Sequence, residues 1–197
     1  MEKGRVEAFS DGVIAVIITI MVLELKPPHG AGWDALLENG HAFLSYVLSF
    51  VYVGLYWNNH HHLFASCRHV SGRVLWANLH FLFWLSLLPF ATAWLNEAQP
   101  LPAPLPTAAY GFVLLMAALA WLPLGRALIA ANGGAEGKLA KAIGARVDGK
   151  TLRSLALYLG AVVMAPFVPI LSCVVYAVVA ALWFIPDRRI ENGLSGQ

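Results

Sequence analysis

Three adjacent histidines, at positions 60–62, are the residues whose type most strongly suggests metal chemistry. They stand in the stretch YWNNHHHLF, which covers residues 56–64. Neighbouring side chains on a helix point about 100° apart, so the three rings cannot share one face. The sequence also lacks the His-x-x-His and His-x-x-x-His pairs with which a helix holds zinc. A metal site would therefore need a ligand from another helix, such as His80.

The same polar stretch is better suited to a buried hydrogen-bond network that joins neighbouring helices. Amide and imidazole groups hydrogen-bond across helices in apolar surroundings. A pH-sensing role is an alternative, because imidazole titrates near neutral pH. The candidate members of the network are Trp57, Asn58, Asn59, His60, Asn78 and His80.

Carboxylates that could carry out acid–base chemistry are scarce. Those near the apolar segments are Asp11, Glu24, Glu38 and Glu97. All but Asp11 fall near one edge of these segments, so paired carboxylates at one depth are not available. The sequence has no Gly-rich phosphate loop, Gly-x-Ser-x-Gly elbow or His-Glu-x-x-His motif. We therefore expect no enzymatic activity, no metal site and no cofactor.

The composition explains this scarcity. Of the 197 residues, 59% are hydrophobic and 12% are charged. A soluble domain carries about 25% charged residues. The sequence therefore predicts an all-α polytopic membrane protein, with the lipid bilayer as its surroundings. The net charge of +2 does not indicate a nucleic-acid partner, and we expect none.

Six apolar segments could each cross a bilayer, which takes about 20 residues. The last two are short, and only the residues PFVP separate them. Pro166 and Pro169 interrupt a helix there, which favours a tight hairpin over one kinked helix. We predict a single six-helix domain over residues 1–197, with spans at about 6–25, 36–59, 73–95, 105–130, 151–167 and 170–186.

The basic residues predict the orientation of these spans. Of the 13 Lys and Arg residues, all but Lys26 fall on one side of the predicted membrane. The positive-inside rule then places both termini in the cytoplasm. The linker at about 131–150 is Gly-rich and basic, and Leu139, Ile143 and Val147 recur in it every four residues. A solvated loop is the favoured interpretation, and a short interfacial helix is the alternative.

Asp11 is the carboxylate that needs an explanation, because it lies in the first turns of an apolar helix. A charged group inside a span is costly and usually faces protein or water. Arg5 and the polar end of the second span are its possible partners. The alternative is that Ser10 caps the helix and that Asp11 stabilises the helix N-terminus.

A helical wheel of residues 5–25 separates Asp11 from an apolar stripe. With about 100° per residue, Val16, Ile20 and Leu23 fall within about 60° of one another, with Thr19 and Phe9 beside them. Asp11 lies about 140° from Val16. Such a stripe can face lipid and other helices, or it can close a water-filled pore by dewetting. Composition does not choose between the two.

The residues Arg5, Phe9, Ser10 and Asp11 form an Arg-x-x-x-Phe-Ser-Asp pattern at the start of the first span. Together with GVIAVIITIMVLEL after it and the later YWNNHH, the pattern resembles the bacterial branch of the transmembrane protein 175 family of potassium channels. The similarity extends over the whole six-span architecture and is most specific in residues 5–25.

This resemblance implies a homotetramer in the bacterial inner membrane, with four copies of the first helix around a central pathway for monovalent cations, potassium above all. The pore constriction would be formed by Val16, Ile20 and Leu23, and Thr19 would contribute to selectivity. Val16 stands where the family more often has Ile or Leu, which would leave a wider opening. Arg5, Phe9, Ser10 and Asp11, with the polar cluster of spans two and three, would hold the helix in place.

Two other functions remain as alternatives to a passive channel. A proton pathway or coupled transporter would need titratable groups along the route, and the stripe above Asp11 has none. A metalloprotein built on the histidines is the weaker alternative.

Overall fold

The computed structural model describes residues 2–137, 139–140 and 149–184, and the chain is all-helical over these ranges. The helices are α1 (Lys3–Leu23), α2 (Trp33–Glu38), α3 (Gly40–Ala65), α4 (Gly72–Ser86), α5 (Leu88–Glu97), α6 (Pro104–Ala131), α7 (Gly149–Met164) and α8 (Pro169–Phe184), with a 3-10 turn at Gly134–Glu136.

Proline residues set several of these boundaries. The predicted third span is two helices, because Pro89 has no N–H to donate to the Leu85 carbonyl and the helix is interrupted at Leu87. Pro104 and Pro169 each occupy the first position of their helix, where a missing N–H costs nothing. Pro123, in contrast, lies inside α6 without ending it.

Three described segments are long and apolar enough to cross a membrane, namely Lys3–Leu23, Gly72–Glu97 and Pro104–Ala131. Pro169–Phe184 is a shorter apolar helix. Ile143 and Val147 of the predicted interfacial helix, and the basic residues Arg188 and Arg189, lie outside the described residues.

The helices pack as one bundle with α6 in a central position. It contacts α4, α5, α7 and α8, whereas α1 packs against α3, α4 and α5. We call the end where α1 begins and α3 ends the base; there Lys3 Nζ donates to the Ala65 carbonyl. We call the end where α1 and α5 end the far end.

Side-chain hydroxyl groups join the helices in the half of the bundle towards the far end. Ser49 Oγ lies 2.8 Å from Thr92 Oγ1 and 3.0 Å from the Tyr110 hydroxyl, which links α3, α5 and α6. The Tyr52 hydroxyl donates to the Tyr176 carbonyl at 2.6 Å. Because these groups are buried, each bond satisfies a polar atom that water does not reach.

One close approach between α6 and α8 gives a test of this packing. The fully buried Tyr176 ring lies where a side chain at Gly111 would begin, and its hydroxyl donates to the Thr107 carbonyl at 3.2 Å. We expect Gly111→Ala to lower the free energy of unfolding by about 1–3 kcal/mol, because the fully buried ring must shift to admit the methyl group. Thermal unfolding in detergent measures this.

Gly125→Ala is the matched control in the same helix, because beyond its own turn of backbone no described atom lies within 4 Å of a Cβ at that position. Equal midpoints for the two variants would contradict the packing described.

Candidate functional site: the first helix and its attachments

One face of α1 is buried against the rest of the chain. Its members, Val6, Ser10, Ile14, Ile17 and Met21, recur every three or four residues. This is the spacing of a single helix face, so α1 contacts α3, α4 and α5 along one line. Ser10 is the polar residue on this face, and its side chain is fully buried.

A chain of hydrogen bonds, which we call the α1 anchor, runs through Ser10, Asn78 and His60. His60 Nε2 lies 2.9 Å from Asn78 Oδ1, Asn78 Nδ2 donates to Ser10 Oγ at 2.9 Å, and Ser10 Oγ donates to the Val6 carbonyl at 2.8 Å. Since the Asn78 oxygen can only accept, His60 carries its proton on Nε2. The three side chains are 0–2% exposed and join α1, α4 and α3.

Aromatic rings enclose the imidazole of the anchor. The His60 ring stacks on Phe64 with 4.4 Å between ring centroids, and Phe81 lies at 6.2 Å. Both phenylalanine side chains are fully buried. The two rings therefore fix the orientation of His60 and keep water from its hydrogen bond with Asn78.

Asp11 is bonded on a different side of α1. Trp57 Nε1 donates to Asp11 Oδ1 at 3.0 Å, and the Trp57 ring stacks on His61 with 6.2 Å between centroids. Both Asp11 and Trp57 are exposed in the single chain. Within the described residues Arg5 makes no ion pair with Asp11, so the tryptophan of α3 is the partner of this carboxylate.

The other predicted members of the network lie apart from the anchor. His80 Nε2 accepts a hydrogen bond from Trp84 one turn later in α4, at 2.9 Å. Asn59 Nδ2 donates to the Leu55 carbonyl in its own helix at 2.9 Å, and Asn58 is exposed. Their helical positions turn these side chains away from the line where α1, α3 and α4 meet.

The histidines at 60–62 do not share one environment. His60 is buried in the anchor, whereas His61 and His62 are exposed. Across the part of the chain that the structure describes, no three His, Cys, Asp or Glu side chains are grouped so that they could hold a metal ion.

The predicted apolar stripe lies on α1 about 110° around the helix from the buried face. Val16, Ile20 and Leu23 are 57%, 43% and 76% exposed, so the chain does not cover them by itself. Phe9 is also exposed. Thr19 lies beside the stripe, and its hydroxyl donates to the Ala15 carbonyl at 2.8 Å. The lone pairs of its oxygen therefore remain available on the exposed side of the helix.

At the far end, an ion pair joins the residues after α1 to α5. Lys26 Nζ lies 2.6 Å from Glu97 Oε1, and both side chains are largely exposed. The hydrogen bond and the charge of Glu97 raise the pKa of Lys26 above 10.5, its ordinary value. A raised lysine pKa favours the folded state below pH 10.5, and this contribution is lost as the pH rises through the shifted value.

Three apolar segments long enough to cross a bilayer, joined by buried polar contacts, indicate a helical membrane protein. The model of the family described as the endosomal/lysosomal potassium channel TMEM175 matches residues 5–89. A potassium channel of Chryseobacterium sp. (strain P1-3) is 48% identical over 194 residues, which are 98% of each chain. The chain belongs to the TMEM175 family, and the resemblance in its first span is confirmed.

Two further relatives extend the comparison. The crystal structure of a lysosomal potassium-selective channel TMEM175 homolog from Chamaesiphon minutus matches with a TM-score of 0.79 and 28% identity, over 93% of this chain and 97% of that chain. The endosomal/lysosomal proton channel TMEM175 of Homo sapiens is 35% identical over 103 residues, which are 46% of this chain and 20% of that protein.

The anchor generates a direct prediction. We expect Asn78→Ala to lower the free energy of unfolding by about 1–3 kcal/mol, because it leaves the buried His60 N–H unpaired and removes the donor to Ser10, whose hydroxyl still donates to the Val6 carbonyl. Thermal unfolding in detergent, followed by tryptophan fluorescence, measures the loss. Asn58→Ala removes an exposed amide from α3 and is the control. A variant at position 78 as stable as this control would show that the hydrogen bonds do not hold α1.

Proposed function

We propose that this protein is a potassium-preferring cation channel, a homotetramer in which four copies of α1 line a central pore. The observation that carries the proposal is the apolar stripe of Val16, Ile20 and Leu23, which a single chain leaves exposed although α1 is attached along a different face. Two relatives named as potassium channels, in Chryseobacterium and Chamaesiphon, support the ion.

The stripe would act as a hydrophobic constriction. From Val16 to Leu23 the helix rises about 10 Å, so four copies would form a short apolar tube. Water leaves a narrow apolar tube by dewetting, and an ion that loses its hydration shell there gains no polar contact from the apolar side chains. Val16 is the smallest of the three side chains, so we expect its ring to be wider than those of Ile20 and Leu23.

Thr19 would be the polar contact of the ion within this tube. Its hydroxyl proton is used by the Ala15 carbonyl, so the oxygen can present lone pairs towards a cation. A ring of four such oxygens would replace part of the hydration shell of potassium. We therefore propose Thr19 as the residue that contributes most to the choice among monovalent cations.

The membrane arrangement belongs to the same proposal. We propose six crossings of the bacterial inner membrane, with the segment Gly72–Glu97 as a single crossing that bends at Leu87. The base of the bundle faces the cytoplasm, because the chain has its excess of Lys and Arg there. In this arrangement the anchor lies at the cytoplasmic end of the pore and the Lys26–Glu97 pair at the outer end.

Proton conduction is the second candidate function. The human relative, which is named as a proton channel, favours it. Between Asp11 and Glu24 the first helix has no titratable side chain that could bind and release a proton. We therefore rank a proton pathway or coupled transport below passive potassium flow.

Asp11 provides a test of which residues hold the helix and which face the ion. We expect Asp11→Ala to lower the yield of assembled protein, because it removes the acceptor of the Trp57 N–H. The potassium-to-sodium ratio of the surviving protein should not change, since Asp11 lies about 140° from Val16 around the helix. Asp11→Asn, which keeps an acceptor oxygen, is the control. A stable Asp11→Ala tetramer with altered selectivity would contradict this assignment.

Potassium flux tests the channel itself. The purified protein is reconstituted in liposomes, and potassium efflux down a gradient is compared for the parent, Ile20→Asn and Leu23→Asn. We expect flux in the parent and at least about tenfold more in the variants, because a polar ring removes a dewetting barrier on the order of the transfer cost of an apolar side chain. Val163→Asn, at an exposed apolar residue of α7, is the control. Absence of flux in all four folded proteins would overturn the proposal.

A further inference from the structure

The two ends of α1 are held in very different ways. At the base, Ser10 is fixed by the buried anchor, and Asp11 by its bond with Trp57. At the far end, the side-chain attachment is the Lys26–Glu97 ion pair, whose side chains are 72% and 61% exposed. Buried hydrogen bonds keep their strength, whereas exposed ion pairs contribute little and are screened by salt.

The apolar stripe lies between these two attachments. Val16 is about 9 Å along the helix axis from Ser10, and Leu23 is about 20 Å from it. Ile14, Ile17 and Met21, which hold this part of α1 to its neighbours, are apolar, and such contacts do not fix a direction as hydrogen bonds do. A swing of α1 about its base would therefore move Leu23 most and Val16 least.

Glu97, in contrast, stands on a well-supported part of the bundle. The Thr92 hydroxyl, one turn earlier in α5, bonds to Ser49 of α3, which bonds in turn to Tyr110 of α6. Asn78 attaches α4 to α3 through His60 on the other side of the interruption at Leu87. Because α3 is continuous past both points, α5 is held in place and Glu97 is a fixed partner for Lys26.

We propose that the Lys26–Glu97 ion pair is a latch that holds the far end of α1 against α5 and so keeps the Ile20 and Leu23 part of the stripe back from the pore axis. This inference rests on the proposed channel function. When the latch is open, the four stripes bury apolar surface against one another at the axis, and the pore narrows. The closed latch therefore favours conduction.

Such a latch responds to ionic strength rather than to changes of pH near neutrality. The Glu97 carboxylate raises the pKa of Lys26 above its ordinary value, so its ammonium group stays charged near neutral pH. Glu24 is the other carboxylate whose charge acts on Lys26, in the same direction as that of Glu97. A surface ion pair contributes less at high salt, so the hold of this pair on α1 weakens as ionic strength rises.

Two variants, each with a neutral side chain in place of a charged one, distinguish loss of the latch from a general effect of surface charge on cation flux. We expect Lys26→Gln and Glu97→Gln each to lower potassium flux by about twofold or more, which is the effect of losing an exposed ion pair in each subunit. A surface-charge effect would have opposite signs, because removal of Lys26 would attract cations and removal of Glu97 would not. The double reversal Lys26→Glu with Glu97→Lys should recover flux at least in part.

Glu7→Gln is the matched control, because it removes the partly buried Lys3–Glu7 pair at the base. We expect this variant to conduct like the parent. Three results would each overturn the latch. They are parent-like flux in both latch variants, flux changes of opposite sign in Lys26→Gln and Glu97→Gln, and no recovery of flux in the double reversal.

The closing experiment places the latch variants in Ile20→Asn, whose constriction remains hydrated. We expect Glu97→Gln to have no effect on flux in this background, since the narrowing no longer expels water. If Glu97→Gln lowers flux as much in the Ile20→Asn background as in the parent background, Glu97 acts through assembly. This result would overturn the latch but not the channel. An Ile20→Asn flux no greater than that of the parent would instead overturn the hydrophobic constriction, and the latch with it.

Discussion

The rest of the site depends on one constraint, which is that the buried side chain of Ser10 must find hydrogen bonds where water is absent. The amide of Asn78 supplies a donor to it, and the imidazole of His60 satisfies the other end of that amide. This sets the rotation of α1 about its own axis. Once Ser10 points into the bundle, the spacing of the helix turns Val16, Ile20 and Leu23 away from it.

The same constraint explains why the polar groups of this bundle occur in sets. The serine, threonine and tyrosine hydroxyls between α3, α5, α6 and α8 bond to one another or to backbone carbonyls. In apolar surroundings an unpaired hydroxyl costs more than a paired one returns. These hydrogen bonds therefore join the helices at particular depths in the bundle. The apolar contacts between these depths add buried surface, but they do not fix the orientation of one helix against another.

Much of this could be predicted from the sequence, and the reason is periodicity. Val16, Ile20 and Leu23 fall on one stripe in any helix, and Asp11 falls on another face, whatever surrounds them. The partners could not be predicted in the same way. Periodicity shows which residues of one helix share a face, but the choice of Asn78 rather than His80 depends on how α4 is rotated against α1 and α3.

The hydroxyl cluster around Ser49 was not predicted, although its residues are visible in the sequence. Serine, threonine and tyrosine are common in membrane helices and often bond within their own helix, as Ser45 does to the His41 carbonyl. Nothing in their spacing distinguishes those that reach another helix. The interruption at Leu87 had a signal in Pro89, but a proline inside a helix need not end it, as Pro123 shows.

The hydrogen bonds of the anchor all run in one direction. The imidazole N–H donates to the Asn78 oxygen, the amide N–H donates to Ser10, and the serine O–H donates to the Val6 carbonyl. A proton relay needs groups that can each accept a proton and pass on another, and neither a carboxamide nor a backbone carbonyl does so at ordinary pH. The anchor therefore offers no path along which protons could move, and it holds α1 in place.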